Sequence, residues 1–327
     1  MERDLKLSAK TIPGDAVKRD ITIDRFRGLI IILMVIGNGM ADVPAFPAIF
    51  KHAEDIGFTV ADTVAPMFFF AIAMTYRASF LRRYDKDKAG AYSHFIIRYF
   101  AILGIGALFS AGGAVVELQT PWGVLQSIGV AGLLTLPFIR LSAGTRAAVA
   151  LTILIAYQLA LDRFWLADVL GSSHGGFYGS ISWGAMLILA TAMVDWLGEG
   201  RRRQVCGMIA LTAVAAAALW LMPISKSRVT ISYVLVTTLI SCIAYIAVRL
   251  VSGRIQPKAG LIAYWGENPL LLFVVHLILT GLARLPFTLL GIYERPLIPS
   301  ALATLAVLVV MTLFVLWIRR TRFRLSF

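Results

Sequence analysis

"LIPSALATLAVLVVMTLFVLWI" occupies residues 297–318 and contains no charged side chain. An α-helix rises 1.5 Å per residue, so a helix of this length covers the roughly 30 Å of hydrocarbon in a bilayer. Inside lipid a chain must satisfy its own backbone hydrogen bonds, and the segment lacks the alternation of apolar and polar residues that a barrel strand needs. The segment therefore predicts a membrane-spanning helix.

The same composition extends along the whole chain. Of its 327 residues, 59% are hydrophobic and 15% are charged, and the mean hydropathy is +0.80. Soluble domains average about 45–50% apolar and about 25% charged residues, so lipid must solvate much of this chain. We predict an all-α polytopic membrane protein of about ten transmembrane helices, with a polar segment at residues 1–22 and a transmembrane domain at residues 23–327. The predicted spans are residues 27–43, 60–80, 95–115, 123–139, 146–161, 177–197, 205–222, 229–249, 261–283 and 297–318.

The distribution of positive charge predicts the orientation. All but six of the 31 lysines and arginines fall in the two terminal segments and in every second connection. Cytoplasmic loops retain such residues, so we expect both termini in the cytosol. The net charge of +13 then reflects a basic inner surface that binds anionic lipid headgroups, and we expect no nucleic-acid partner. The six exceptions are Lys51, Arg163, Lys226, Arg228, Arg284 and Arg295.

The cysteines and histidines predict neither a disulfide nor a metal site. Cys206 and Cys242 fall inside predicted helices at different depths, where they serve as small packing residues. The four histidines are far apart and show no metal-ligand spacing.

The most informative polar segment is "IFKHAEDIGFTVADTVAPMFFF", residues 49–70, which we place on the outer side. Histidine side chains titrate close to neutral pH, and a neighbouring carboxylate can fix the tautomer of the ring. His52 is accompanied by Glu54, Asp55 and Asp62, so it is a candidate proton acceptor. An ordinary loop histidine remains the alternative reading. Pro66 removes a backbone donor from the second helix and can kink it.

A second polar group lies at the inner mouth of the first helix, in "RDITIDRFRGLIIILMVIGN". Asp24 and Arg27 are three residues apart, so they share a helical face and can pair. The carboxylate of Asp24 also suits the positive end of the helix dipole, and a simple capping role is equally compatible. Gly28 would let a neighbouring helix approach closely.

Other polar residues lie in later helices. Gln126 begins the fourth span, and Asn268 lies near the inner end of the ninth. His276 lies close to mid-membrane, where an ionisable group faces a cavity or a partner, and a packing role is equally compatible. We interpret His94 as a residue at the membrane interface and His174 as a solvent-exposed loop residue.

Four of these segments together resemble the heparan-α-glucosaminide N-acetyltransferase family and its bacterial relatives among the transmembrane acyltransferases. "IDRFRGLIIILMVIGN" is similar to the family's Asp-x-x-Arg-Gly helix that ends with Asn, and "HAEDIGFTVADTVAPMFFF" is similar to its next block. "GVLQSIG" and "ENPLLLFVVHLIL" are similar to two later elements. The sequence departs from the family at residues 54–56, where a Trp is common. The matching positions are Asp24, Arg27, Gly28, Asn38, His52, Ala53, Gly57, Thr59, Asp62, Pro66, Gln126, Asn268 and His276.

The resemblance implies transfer of an acetyl group from cytosolic acetyl-CoA to an amino sugar or glycan outside the cytosol, in a bacterial plasma membrane. It implies His52 as base or nucleophile, and we add Asp62 and Asp24 as catalytic candidates. Candidate contacts to the acceptor are Glu54, Asp55 and Gln126. Candidate contacts to acetyl-CoA are Arg27, Asn38, Arg82, Arg83, Arg98, Asn268 and His276.

Two other classes of function remain open at this point. In a transporter or flippase, His276 and Asp62 would mark a substrate or proton path. A non-catalytic membrane scaffold would not bind acetyl-CoA at all. A homodimer is compatible with either class, although no helix carries a decisive interface motif.

Overall fold

A computed structural model describes residues 20–115, 122–254 and 260–321. Helices make up most of these residues. In chain order they are α1 Ile21–Met40, α2 Val64–Tyr84, α3 Lys88–Val115, α4 Val124–Thr135, α5 Ala143–Ala160, α6 Leu166–Leu170, α7 Gly176–Gly198, α8 Arg201–Leu221, α9 Ile231–Arg254, α10 Leu261–Trp265, α11 Pro269–Leu289 and α12 Leu297–Thr321.

Eight helices within the described residues are long and apolar enough to cross a membrane. The chain is therefore an integral multi-pass membrane protein, as predicted. Each of the ten predicted spans falls on a helix, but two have weaker membrane character. In α1, Asp24, Arg25 and Arg27 are all charged, and α4 with the turn that follows it covers only Val124–Phe138. The count of ten and the orientation of the termini stay predictions.

The predicted ninth span, residues 261–283, is wrong at its start. The chain there forms the short helix α10, breaks, and begins α11 at Pro269. The break falls just before Pro269, because a proline disfavours a helical conformation at the preceding residue, Asn268. The chain packs closely against α1 at the same point, since a Cβ on Gly266 would lie 1.8 Å from the carbonyl oxygen of Asp24. A Cβ on Gly28 would likewise lie 1.9 Å from the carbonyl oxygen of Ile262. The close approach predicted at Gly28 is confirmed, and α10 is the helix that uses it.

Two further differences concern proline and helix length. Pro66 lies in the first turn of α2, where its missing N–H does not kink the helix. The predicted fifth span, residues 146–161, is too short, because α5 continues through a π-helical turn, Leu161–Trp165, into α6.

Helix α7 forms the centre of the bundle. Its most apolar window is 78% buried, whereas no other candidate span in the described residues exceeds 44%. It packs against α2, α4, α5, α8 and α9. Trp183 of α7 is fully buried and stacks on Phe69 of α2 with 4.6 Å between ring centroids. A helix that is apolar on every side is buried in this way, since it leaves no polar face for solvent.

Contacts between connections define two ends of the bundle. At one end, which we call the His52 face, the backbone N–H of Gly57 donates to Ile224 O at 2.9 Å, and Arg295 contacts Asp42 at 3.2 Å. These contacts join the connections that follow α1, α8 and α11. At the opposite end, the arginine face, Arg77 contacts Asp195 at 3.2 Å and joins α2 to α7.

A buried ion cluster holds the arginine face together. Arg146 of α5 has no solvent exposure, and it donates to Asp195 and to the hydroxyl of Thr191. Arg77 adds a second guanidinium to the same carboxylate and also donates to Ile139 O at 3.1 Å. One carboxylate therefore compensates two cations from two different helices.

We expect Asp195→Asn to lower the free energy of unfolding by about 3 kcal/mol, because the variant leaves the buried charge of Arg146 without its counterion. Thermal unfolding in detergent micelles measures the change. Glu199→Gln is the matched control, since it removes an exposed pair with Arg203 and only a longer-range attraction to Arg146, and it should cost less than about 1 kcal/mol. Equal effects of the two variants would contradict this account of the cluster.

Candidate functional site

The imidazole of His52 and the carboxylate of Asp62 form a hydrogen-bonded pair at the His52 face. The distance between His52 Nδ1 and Asp62 Oδ1 is 2.8 Å. The side chain of Asp62 is completely buried, whereas that of His52 is 47% exposed. A buried carboxylate that accepts from Nδ1–H leaves the unprotonated lone pair on Nε2. The pair therefore presents a basic nitrogen on a half-exposed ring.

The connection between α1 and α2 holds Asp62 in place. Asp62 Oδ2 accepts from the N–H of Thr59 at 3.0 Å, the hydroxyl of Thr59 at 3.0 Å and the N–H of Ala53 at 3.3 Å. These donors come from the same short segment, which reverses direction at Gly57, where φ is +139°. Glycine is required there because L side chains rarely adopt such a conformation.

The backbone carbonyl of Asp62 has a partner of its own. Pro66 follows four residues later and lacks the N–H that would bond this carbonyl in a continuous helix. The hydroxyl of Tyr233 in α9 donates to it instead, at 2.7 Å. The proline thus frees an acceptor that ties the Asp62 turn to the buried first half of α9.

Lys226 is the third charged group of the site. Its Nζ lies 3.9 Å from Asp62 Oδ1, and its side chain is 14% exposed. Burial lowers the pKa of Lys226 to about 8, although the carboxylate of Asp62 opposes the shift. The ammonium form therefore prevails below about pH 8, and the amine form above it.

Asp55 and Glu54, which the sequence predicts to contact the molecule that receives the acetyl group, occupy different environments. Asp55 accepts from the guanidinium of Arg228, with Arg228 Nε 2.8 Å from Asp55 Oδ1, and from Ser225 at 3.0 Å. These hydrogen bonds, that from Arg228 foremost, hold the pKa of Asp55 below its ordinary value. Glu54 is exposed, and its carbonyl oxygen accepts from Ser227. Asp55 therefore joins two connections, and Glu54 faces solvent beside His52.

Asp24 and Arg27 lie together in α1, towards the arginine face. Arg27 Nη1 is 4.0 Å from Asp24 Oδ1, so the predicted pair forms. Arg27 also donates to Ala71 O at 3.1 Å and to the hydroxyl of Thr75 at 2.7 Å, which joins α1 to α2. Asp24 is buried and belongs to a different part of the molecule from His52.

Asn38 and His276 form a second polar pair inside the bundle. Asn38 Nδ2 lies 2.9 Å from His276 Nε2, and His276 Nδ1 lies 3.1 Å from Phe273 O. Both ring nitrogens of the fully buried His276 therefore have partners, with Nδ1 as donor and Nε2 as acceptor. This arrangement offers no free nitrogen for a proton path.

The arginines predicted to contact acetyl-CoA lie at the arginine ends of α2 and α3. Arg82 is exposed, and Arg83 donates to the hydroxyl of Ser79 at 2.7 Å. In the neighbouring α3, Arg98 Nε and His94 Nε2 are buried and have no hydrogen-bond partner within the described residues. Buried donors without partners are costly, so this cluster is suited to an added anion.

Asn268, a predicted contact to acetyl-CoA, and Gln126, a predicted contact to the acceptor, lie apart from these groups. Asn268 lies at the start of α11 and lines a small cavity with Glu267 and Arg319 on the arginine face. Gln126 of α4 is buried, and it accepts from the N–H of Gly123 and donates to Ser110 of α3, both at 2.8 Å. The predicted site residues thus occupy several separate places in the bundle.

The structure adds residues that the sequence pattern does not reveal. Lys226 and Tyr233 belong to the site, yet nothing in the local sequence signals their proximity to Asp62. His174 was expected to be a solvent residue, but its Nδ1 is buried with no partner in the described part of the chain. His174 has a φ of +56°. The next residue, Gly175, packs against the connection between α8 and α9 that contains Lys226, because an added Cβ would lie 3.0 Å from Val229.

Residues 19–178 match the family model described as heparan-alpha-glucosaminide N-acetyltransferase, catalytic. The match includes α1, the whole His52 segment, the arginine cluster of α2 and α3, and Gln126. The match covers just under half of the chain and supports its assignment to the heparan-α-glucosaminide N-acetyltransferase-like family. The resemblance predicted from the sequence is therefore confirmed, and the family indicates a transmembrane acyltransferase. No curated protein matches the chain.

Lys226, Asn268 and His276 lie beyond the matched residues. Their placement beside the site or inside the bundle therefore comes from the structure alone.

We expect Lys226 to acylate with acetic anhydride at unusually low pH. Its labelling should rise with a midpoint near pH 8, because an amine reacts only when deprotonated, whereas ordinary lysines titrate near 10.4. Peptide mass spectrometry across pH 6–11 measures the midpoint. Labelling of the exposed Lys88 in the same samples serves as the internal reference, because acetic anhydride is also lost by hydrolysis. Asp62→Asn should lower the midpoint further, since it removes the charge that favours the ammonium. A midpoint near 10, or one that rises in Asp62→Asn, would contradict this description.

Proposed function

We propose that this protein transfers an acetyl group from acetyl-CoA, bound at the arginine face, to an amino sugar or glycan acceptor at the His52 face. The observation that carries the proposal is the buried Asp62 carboxylate on the Nδ1 side of a half-exposed His52. The same carboxylate–imidazole arrangement sets the tautomer of the catalytic base in serine hydrolases, in which it evolved independently on unrelated folds.

His52 would act through Nε2. With Nδ1–H bound to Asp62, Nε2 accepts the proton that the acceptor amine or hydroxyl loses as it attacks the thioester carbon. The C–S bond breaks, and the imidazolium returns its proton to the departing thiolate. Asp62 stabilises the imidazolium while the proton is on the ring. If His52 served as the nucleophile, the same nitrogen would attack the thioester carbon and expel the CoA thiolate, which gives an acetyl-imidazole. The acceptor would then attack this acetyl group, lose its proton and release the imidazole.

The arginine face suits the phosphates of the donor. Acetyl-CoA supplies an acetyl group already activated as a thioester, and its phosphates require cations. Arg82, Arg83 and Arg98 provide them, and Arg98 Nε, which lacks a partner within the described residues, is a donor of the kind that binds a phosphate oxygen. Arg27 is engaged with α2 and Asp24, so we assign it to holding α1 in position.

The thioester end of acetyl-CoA must therefore reach His52 through a passage between the helices. Asn38 and His276 form a hydrogen-bonded polar pair within the bundle. Asn38 Nδ2 is a donor that could turn from His276 towards a carbonyl oxygen, and loss of such a donor typically costs about 10²–10³ in rate. We expect Asn38→Ala to lower kcat by that factor.

The acceptor would meet His52 among charged side chains. Glu54 is exposed beside His52, and a carboxylate suits an acceptor that carries an ammonium group. Lys226 and Asp62 complete the local charge pattern. We therefore propose an amino sugar or a glycan that contains one as the acceptor class.

The decisive experiment incubates purified protein with radiolabelled acetyl-CoA, with and without a panel of amino sugars. We expect label on an amino sugar, with His52→Ala slower by at least about 10²-fold and Asp62→Asn slower in kcat with little change in KM. Label on protein before acceptor is added would assign the nucleophilic route, and its absence would assign the general-base route.

Arg203→Gln is the control for handling and folding, because Arg203 is exposed on α8 and pairs only with exposed Glu199 in the described residues. It should transfer at the unmodified rate. Transfer by folded His52→Ala at a rate close to that of Arg203→Gln would refute the proposal.

A further inference from the structure

Lys226 places a cation beside the pair of His52 and Asp62, and its ammonium makes no hydrogen bond within the described residues. Its Nζ lies 3.9 Å from Asp62 Oδ1, which is too long for a hydrogen bond. That oxygen already accepts from His52 Nδ1 at 2.8 Å, and three donors of the connection before α2 hold the other oxygen. Asp62 therefore compensates part of the charge of Lys226 and leaves the N–H donors available.

The ammonium also lies close to the imidazole, because both nitrogens are near the same oxygen of Asp62. The side chain of His52 is 47% exposed, so a substrate reaches its ring from solvent. The side chain of Lys226 is only 14% exposed. A cation that is largely shielded from water acts more strongly on a neighbouring charge than a solvated one does. A group that reacts at His52 is therefore within the field of Lys226.

The connection that carries Lys226 has a strained backbone. Val229 has a φ of +49°, which a β-branched residue rarely adopts. Its N–H donates to Lys226 O at 3.1 Å, and its carbonyl accepts from Ser182 of α7 at 2.8 Å. Tyr157 of α5 donates to the neighbouring Arg228 O at 2.7 Å. Strain of this kind persists only where the surrounding structure enforces it, and it is concentrated at functional sites. The two helices thus hold the turn that positions Lys226.

A second nitrogen without a partner lies in the same neighbourhood. His174 Nδ1 is buried and makes no hydrogen bond to any residue that the structure describes. The ring is near enough to Lys226 and His52 to interact electrostatically with both. Polar atoms in native proteins nearly always have partners, so these two nitrogens indicate that a polar group of a ligand binds here.

We propose that the ammonium of Lys226 donates a hydrogen bond to the thioester carbonyl oxygen of acetyl-CoA during transfer at His52, an inference that rests on the proposed function. When the acceptor attacks the thioester carbon, the π electron pair of the C=O bond moves onto this oxygen, and the adjacent cation stabilises the negative charge. The pair returns as the C–S bond breaks. Lys226 keeps its protons throughout, and His52 carries the proton of the acceptor. Asn38 has to leave His276 before it can bind this oxygen, whereas Lys226 needs no such change.

The test compares two unreactive CoA thioethers by calorimetric titration of the purified protein in detergent micelles at pH 7. Carboxymethyl-CoA carries a carboxylate at the position of the acetyl group and so mimics the charged oxygen. Acetonyl-CoA carries a neutral methyl ketone there. We expect Lys226→Met to weaken binding of carboxymethyl-CoA at least about tenfold more than binding of acetonyl-CoA, because a charged hydrogen bond is lost only with the first. The same variant should lower kcat for acetyl transfer about 10²-fold.

Lys51→Met is the matched control, because Lys51 lies at the same face and donates to Pro44 O in its own connection. It should change neither affinity by more than about twofold. If Lys226→Met and Lys51→Met bind the two analogues alike, Lys226 has no such role and the proposed function still stands. If neither analogue binds the parent chain, the proposed function fails and this inference fails with it.

The ratio of the two affinities should also depend on pH. Burial lowers the pKa of Lys226 to about 8, so the ammonium is present below that pH and is lost above it. Binding of carboxymethyl-CoA relative to acetonyl-CoA should therefore decline above about pH 8, by up to about tenfold per pH unit. Lys226→Arg should not show this decline, because a guanidinium stays charged. The other titratable or charged groups around Lys226 are unchanged in that variant: Asp62, His52, His174, Tyr233, Arg228 and Asp55. A ratio that is constant from pH 7 to 10 in the parent chain, or that declines equally in Lys226→Arg, would overturn the proposal.

Discussion

The hydrogen bond from His52 to Asp62 requires a carboxylate that cannot turn away. Asp62 meets this requirement because three donors of its own connection hold one of its oxygens, while the other oxygen faces the imidazole. The backbone at Asp62 is fixed as well, since Pro66 leaves its carbonyl free for the hydroxyl of Tyr233. The local sequence thus builds a rigid acceptor, and a distant helix secures it.

The two ends of the bundle carry different chemistry. At the arginine face, buried Arg146 and its partner Asp195 stabilise the helices, while the cluster around Arg98 retains donors without partners among the described residues. At the His52 face, cations pair with acids that belong to the connections themselves, as Arg228 does with Asp55. This separation agrees with a reaction that draws an anionic donor from one side and an acceptor from the other. The orientation predicted from the loop charges would place the proposed donor in the cytosol.

Much of the fold could be predicted because hydrophobic length and helical periodicity are local properties. The pairing of His52 with Asp62 could also be anticipated, since ten residues separate them in one short connection. Lys226 could not, because only the packing of α9 and its preceding connection against α2 brings it to the carboxylate. The break inside residues 261–283 did have a local signal, the residues Gly266-Glu267-Asn268-Pro269, because a residue before proline rarely stays helical; what the sequence does not reveal is that Gly266 packs against α1. His174 was expected in solvent because its glycine-rich surroundings resemble a surface loop, yet that loop packs against another connection.

The proposed chemistry depends on which nitrogen of His52 carries the proton when the ring is neutral. Nitrogen-15 NMR of histidine-labelled protein in detergent micelles measures this directly, with the signals of residue 52 assigned by their loss in His52→Ala. We predict a protonated Nδ1 and an unprotonated Nε2, with this preference lost in Asp62→Asn. A neutral ring protonated on Nε2, or a spectrum unchanged by Asp62→Asn, would contradict the role of the carboxylate in setting the tautomer.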